Sequence, residues 1–135
     1  MLTVNCIFPK GIIIQDKDGA NRIFRNFILE EEVGKHTFDV MNDDTLDRER
    51  LANDPGYYSA ALLASRIKLQ GIENVTPEIV QDLHPLDLKY LLGEAADLDQ
   101  RRDLFRSEIE AAQKGYLDTE ETGILDNGSH GDEPG

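Results

Sequence analysis

Chemistry in this 135-residue chain would have to come from three histidines, one cysteine and 27 carboxylates. Catalysis needs such groups gathered with matched pKa values, and metal capture needs ligands spaced so that a helix or loop can close them on one ion. His36, His84 and His130 stand far apart, and none sits in an H-x-H or H-E-x-x-H pattern. His84, immediately before Pro85, reads as a turn residue. Cys6 has no nearby group that would lower its thiol pKa and lies in a strand-like run, so it reads as a small buried apolar residue. Asp16-x-Asp18-Gly19 opens like a calcium loop, but the positions where an EF-hand needs glycine and a bidentate glutamate hold Asn21 and Phe27. A hairpin turn explains it better. No glycine-rich phosphate loop and no G-x-S-x-G is present, and carboxylates are too abundant for any pair to stand out from a solvated face. These residues predict no catalytic, cofactor or metal site, and a protein that is not an enzyme.

The composition narrows the partners. A formal net charge of −13 repels phosphate backbones, which excludes nucleic acid as an ordinary partner. No apolar run approaches the roughly 20 residues that span a bilayer, and the N-terminal MLTVNCIFPKG lacks the basic and apolar regions of an export signal. One cysteine cannot form an internal disulfide, which fits a reducing cytoplasm. Leu, Ile, Val and Phe make up just over a quarter of the chain, enough for a modest core.

The elements that would position side chains fall into three regions. Residues 1–35 read as a β-hairpin region with strands over 3–8, 11–15 and 21–29. Pro9 breaks the first from the second because it cannot donate to a ladder, and Asp18-Gly19 turns the second into the third. The alternation in 21–29 is imperfect: Ile23, Phe27 and Leu29 share a face with Arg25, opposite Phe24 and Ile28. Residues 36–55 read as a polar connection rich in carboxylates. Residues 55–116 read as helical: one helix opening at Asp54-Pro55 and capped by Gly71, a short one opening at Thr76-Pro77, and a long one over 86–116. The last carries a heptad-like stripe of Leu91, Ala95, Leu98, Arg102, Phe105, Ile109, Ala112 and Tyr116. Residues 117–135 hold six acids and no Lys or Arg, and predict a disordered acidic tail. The expected fold is α+β: a small antiparallel hairpin or sheet, a bundle of about three helices and the tail, with 1–116 as one domain.

Residues 46–92 add a resemblance. The segment from Asn53 through Tyr57-Tyr58 into an apolar helix ending in Arg66-Ile67, then Val75-Thr76-Pro77-Glu78-Ile79-Val80, then Asp87-Leu88 to Leu91, is similar in order to the tail assembly chaperones of Mu-like and P2-like contractile-tail phages. Phe8-Pro9-Lys10-Gly11 and its hairpin also resemble that family's N-terminal region. The resemblance implies a bacterial cytoplasmic protein that binds the helical, aggregation-prone tape measure protein until the tail tube polymerises, with self-association and contact with tube protein as further expectations. It implies that the apolar side chains of Tyr57, Tyr58, Leu62, Leu88 and Leu91 cover the partner, while the carboxylates keep the complex soluble. The alternative is a structural tail or baseplate component retained in the finished particle.

Overall fold

The computed structural model describes residues 1–125 and is α+β, with an N-terminal antiparallel sheet followed by helices. Strands β1 (Thr3–Gln15) and β2 (Asn21–Glu30) form the hairpin, and β3 (Ile67–Leu69) pairs antiparallel with β2, giving the order β1-β2-β3. Five helices follow or intervene: α1 (Gly34–Asn42), α2 (Arg48–Asn53), α3 (Pro55–Ser65), α4 (Pro77–Gln81) and α5 (Pro85–Leu125). Among the described residues no helix is long and apolar enough to cross a membrane. The chain divides into two compact units at Asp99/Gln100, whereas the sequence reading drew one unit over 1–116.

Pro9 does not end the first strand. β1 runs straight through it, but its register against β2 slips between Ile7 and Ile12, so that residues 8–11 stand opposite Arg25 alone. The missing N–H of Pro9 costs nothing where the ladder is already open. The slip also resolves the uneven alternation of β2. Phe27 and Leu29 are buried on one side of it, Phe24 packs against the same core on the other side, and Ile23 and Ile28 are left exposed.

The polar connection expected over 36–55 holds two helices. In α1 the ring Nδ1 of His36 accepts the Val33 N–H at 3.1 Å, doing for the first turn what Glu or Gln does in a capping box. Its Nε2 then donates to Glu30 Oε1 at 2.9 Å. In α2 the Asp47 carboxylate accepts the N–H groups of Glu49 and Arg50, both at 3.1 Å, which satisfies two orphan donors.

The helix expected to continue to Gly71 stops at Ser65. From Arg66 the chain turns extended, burying Ile67 and Leu69 while Lys68 and Gln70 stay exposed, the period-two pattern of a strand. Gly71 caps no helix. It holds φ +93° after β3, where a Cβ would lie 2.7 Å from the Phe24 ring. α3 does open as expected, with Asp54 accepting from Gly56 and Tyr57 at 3.0 and 3.2 Å ahead of Pro55. Thr76 caps α4 through the Ile79 N–H at 3.2 Å.

The core lies between one face of the sheet and the helices. Phe8 and Phe27 stack with centroids 4.2 Å apart, and Tyr90 meets both edge-on. Cys6, Leu29, Ala60, Ala64, Ile67, Leu69, Val80, Leu91, Ala95 and Leu98 complete the cluster. The expected tail is corrected in part: residues 117–125 continue α5, since elongating an existing helix is far easier than nucleating one and Gly123 is the sole strong breaker there. Residues 126–135 of that tail lie outside the described ones.

Candidate functional site

The five residues expected to cover a partner separate in the structure. Tyr57 is 2% exposed and Leu91 fully buried, so both are core residues rather than contact residues. Tyr57 instead packs under the Arg50 guanidinium, 4.1 Å from its ring centroid, and its hydroxyl accepts the Asp47 N–H at 3.1 Å. An aromatic ring buried on one turn of α3 thus fixes α2 against it. Leu91 faces inward because it shares the α5 stripe with Ala95 and Leu98, and all three are buried. Tyr58 is half-buried.

Leu62 and Leu88 do come together. They line a groove of about 380 Å³ whose walls are α3, α4 and the first turns of α5. Ala60, Leu63, Val80 and Leu92 supply the rest of its apolar surface, with Leu92 52% exposed. The sequence reading missed Leu92. Its signal was the spacing of four from Leu88, a second stripe on α5 beside the core stripe.

Arg66 and Glu32 also line the groove. Arg66 is buried, and its fork is filled: Nε donates to the Glu30 carbonyl at 2.9 Å, one terminal nitrogen to Asp99 Oδ1 at 2.8 Å, and the other lies 3.8 Å from Glu32 Oε1. The guanidinium therefore pins the end of β2 to α5, and Arg66 and Glu32 join Ser59 and Gln81 as the polar part of a mostly apolar lining. Such a groove takes apolar side chains of an amphipathic segment.

The groove is positioned by the start of α5, and that start is fixed by a fully buried carboxylate. Asp87 accepts the N–H of Lys10 at 2.7 Å and of Gly11 at 2.8 Å, the two donors that the β1 slip releases from the ladder. Tyr90, one turn on, accepts the Ile7 N–H at 3.3 Å. Phe8-Pro9-Lys10-Gly11 and Asp87-Leu88, two of the segments that carry the phage resemblance, meet at this joint. His84 behaves as the turn residue expected of it, its Nδ1 accepting the Leu86 N–H at 3.0 Å at the head of α5.

The titratable groups show no convergence on the groove. Burial pushes the Cys6 thiol up; a hydrogen bond with Tyr90 opposes this, and the Glu94 carboxylate adds to it. Burial likewise raises the Tyr90 phenol. A thiol shifted in that direction is a poor nucleophile at neutral pH. Burial also acts to raise Glu30, but the hydrogen bond from His36 and the charges of Lys35, Lys68 and His36 outweigh it and hold the carboxyl below its ordinary value. Among the described residues no group of three or more His, Cys, Asp and Glu is placed to hold a metal ion. A second cavity of about 580 Å³ lies between residues 10–14 of β1 and residues 79–84, with Lys10, Asp82 and His84 in its lining; it contains none of the five expected contact residues.

Comparison with protein-family models, with curated proteins and with solved structures found no match to this chain.

Proposed function

We propose that this protein is a non-enzymatic assembly chaperone of a phage or phage-like contractile tail, working in the bacterial cytoplasm. It binds the tape measure protein and keeps it soluble until tube protein polymerises around it. The observation that carries this reading is the groove: Leu62, Leu88 and Leu92 offer an apolar slot for one face of a helix, on a chain of net charge −13. The ordered resemblance of residues 46–92 supports the same reading. The partner that the resemblance implies is long and helical, and the apolar face of a helix is what a groove of this kind takes. Contacts of this size are moderate in strength, which suits a protein that must leave when tube subunits arrive. The net negative charge of the chain repels other loaded copies and holds the complex in solution.

Co-expression with the tape measure protein encoded beside it tests the proposal. With the wild-type chain the tape measure protein should stay in the soluble fraction and co-purify, and with a Leu88→Glu, Leu92→Glu chain it should pellet. A tape measure protein equally soluble without this chain, and no complex, would reject the reading. Mass spectrometry of finished particles should find the chain absent, because a chaperone is released where a structural component stays.

A further inference from the structure

β1 is an edge strand of the sheet, and the direction of its backbone groups follows from the way the hairpin closes. The Asp16 N–H meets the Ala20 carbonyl at 2.8 Å. By the alternation of an antiparallel ladder, Ile14 with Arg22 and Ile12 with Phe24 are then the bonded pairs. Ile13 and Gln15 therefore turn their N–H and C=O groups away from β2. Gly11 has the same parity, and its outward N–H is the one that Asp87 takes. Among the described residues nothing bonds to the backbone of Ile13 or Gln15. The cavity of about 580 Å³ between residues 10–14 and 79–84 adjoins this stretch. It is of the size of a ligand site and shares no lining residue with the groove.

We propose that an extended segment of a partner chain, apolar at three successive positions and flanked by one charge of each sign, adds to the edge of β1 at Ile13 and fills this cavity. The backbone names the occupant. Outward donors and acceptors that recur at every second residue are completed by another extended strand and not by a helix. A residue opposite Ile13 shares its face and covers its side chain, which is 66% exposed. The two residues beside that one share the face of Ile12 and Ile14, which line the cavity with Ile79 and Leu83. Lys10 and Asp82 line it too, and among the described residues neither is ion-paired. A segment of balanced charge complements this pair, whereas a second copy would bring a net −13 to a chain of −13. Pairing in the antiparallel sense, the more stable one, brings the C-terminal end of the segment toward Lys10. Its acidic residue stands at that end and its basic residue at the other.

A capped heptapeptide, lysine-threonine-valine-isoleucine-valine-threonine-glutamate with fluorescein at its N-terminus, is the probe, titrated by fluorescence anisotropy with the full chain. Binding should saturate. Ile13→Pro removes an outward N–H that the ladder to β2 does not use, which an edge strand tolerates, and should weaken binding about tenfold. Methylating the central amide nitrogen of the peptide removes the donor to the Ile13 carbonyl. It should weaken binding to the wild-type chain as much, a result independent of how any variant folds. A peptide with its lysine and glutamate exchanged should also bind more weakly, and Leu92→Glu, in the separate groove, should bind as the wild type does. No saturable binding, or binding unmoved by the proline, the methyl group or the exchange, would overturn the proposal. So would sedimentation showing a dimer that Ile13→Pro dissolves, since the edge would then belong to a second copy.

Discussion

Asp87 and Gly11 are joined across 76 residues of chain by a hydrogen bond of 2.8 Å, and the same fully buried carboxylate takes the Lys10 N–H at 2.7 Å. The slip in β1 creates two amide donors with no ladder partner, and the first turn of α5 supplies one anion that satisfies both. Asp87→Ala removes the acceptor of both donors; Lys10 is exposed and Gly11 half-buried, so water replaces it in part, and the expected loss is about 1–2 kcal/mol of folding stability. Asp87→Asn keeps one acceptor oxygen but turns an NH₂ toward the other donor, so it should recover only part of that. Gly11→Ala should cost about 1–3 kcal/mol, because its φ is +98° and the new methyl would lie 2.5 Å from the Ile23 side chain and 3.2 Å from the Phe24 carbonyl. Urea unfolding checks all three: the midpoint should fall with the slope unchanged.

Leu91 and Leu92 are neighbours with opposite duties. Leu91 is fully buried, and Leu91→Ala should cost about 2–5 kcal/mol through the cavity it leaves. Leu92 lines the groove and is 52% exposed, so Leu92→Glu should change stability by less than about 0.5 kcal/mol while abolishing tape measure co-purification. Thermal unfolding beside the co-expression assay separates the two. If Leu92→Glu unfolds the protein, or leaves capture intact, the groove is not the contact surface.

Arg66 ties three acceptors beside that groove. Arg66→Ala removes the donor to the Glu30 carbonyl and the guanidinium beside Asp99 and Glu32, though both carboxylates keep access to water. The expected cost is therefore about 2–3 kcal/mol, below that of breaking a fully buried pair. Arg66→Lys has one point charge in place of a fork and should recover less than half. A double-mutant cycle with Asp99→Asn should show coupling between the two side chains, and additivity would mean that the 2.8 Å bond contributes nothing to stability.

Much of this architecture was readable from residue order. The hairpin at Asp18-Gly19, the Asp54-Pro55 and Thr76-Pro77 helix starts, and the inward stripe of Leu91, Ala95 and Leu98 follow from turn chemistry and periodicity alone. Three features were hidden for identifiable reasons. α1 is started by a histidine reaching back to Val33, where propensity rules look for Ser, Thr or Asp. β3 is three residues long, and its Ile67 and Leu69 also fit the helical spacing of the segment before it. The continuity of β1 through Pro9 depends on Asp87, a residue so far along the chain that no local window contains both. The groove was half legible. Leu62 and Leu88 stand among the five residues the resemblance implies for a partner surface, but telling them from Tyr57 and Leu91 requires knowing which faces α3 and α5 turn to the sheet.

The pair of Glu30 with buried His36 sets how stability responds to acid. Burial works to raise the Glu30 carboxyl, and the His36 hydrogen bond with the charges of Lys35, Lys68 and His36 lowers it further than burial lifts it. Asp43 is lowered by hydrogen bonds from the Thr45 side chain and backbone. Asp54 is lowered by the backbone N–H of Tyr57, which with Arg50 and Gly56 outweighs the opposing effect of desolvation. A carboxyl lowered on folding binds its proton more tightly in the unfolded chain, so the stability it contributes is whole above the unfolded value and is lost as pH falls through the folded one. The window therefore opens near the ordinary 4.5 of Glu30 and 3.8 of the aspartates and extends below them. Above that window these three groups should leave stability flat up to neutrality. Glu30→Gln keeps an acceptor for His36 but no longer titrates, so its stability should fall less steeply with acid than that of the wild type, first between pH 4.5 and the folded value. Urea midpoints measured from neutral to strongly acid pH check this. Parallel curves for the two proteins would show that the His36 hydrogen bond does not hold the Glu30 carboxyl down.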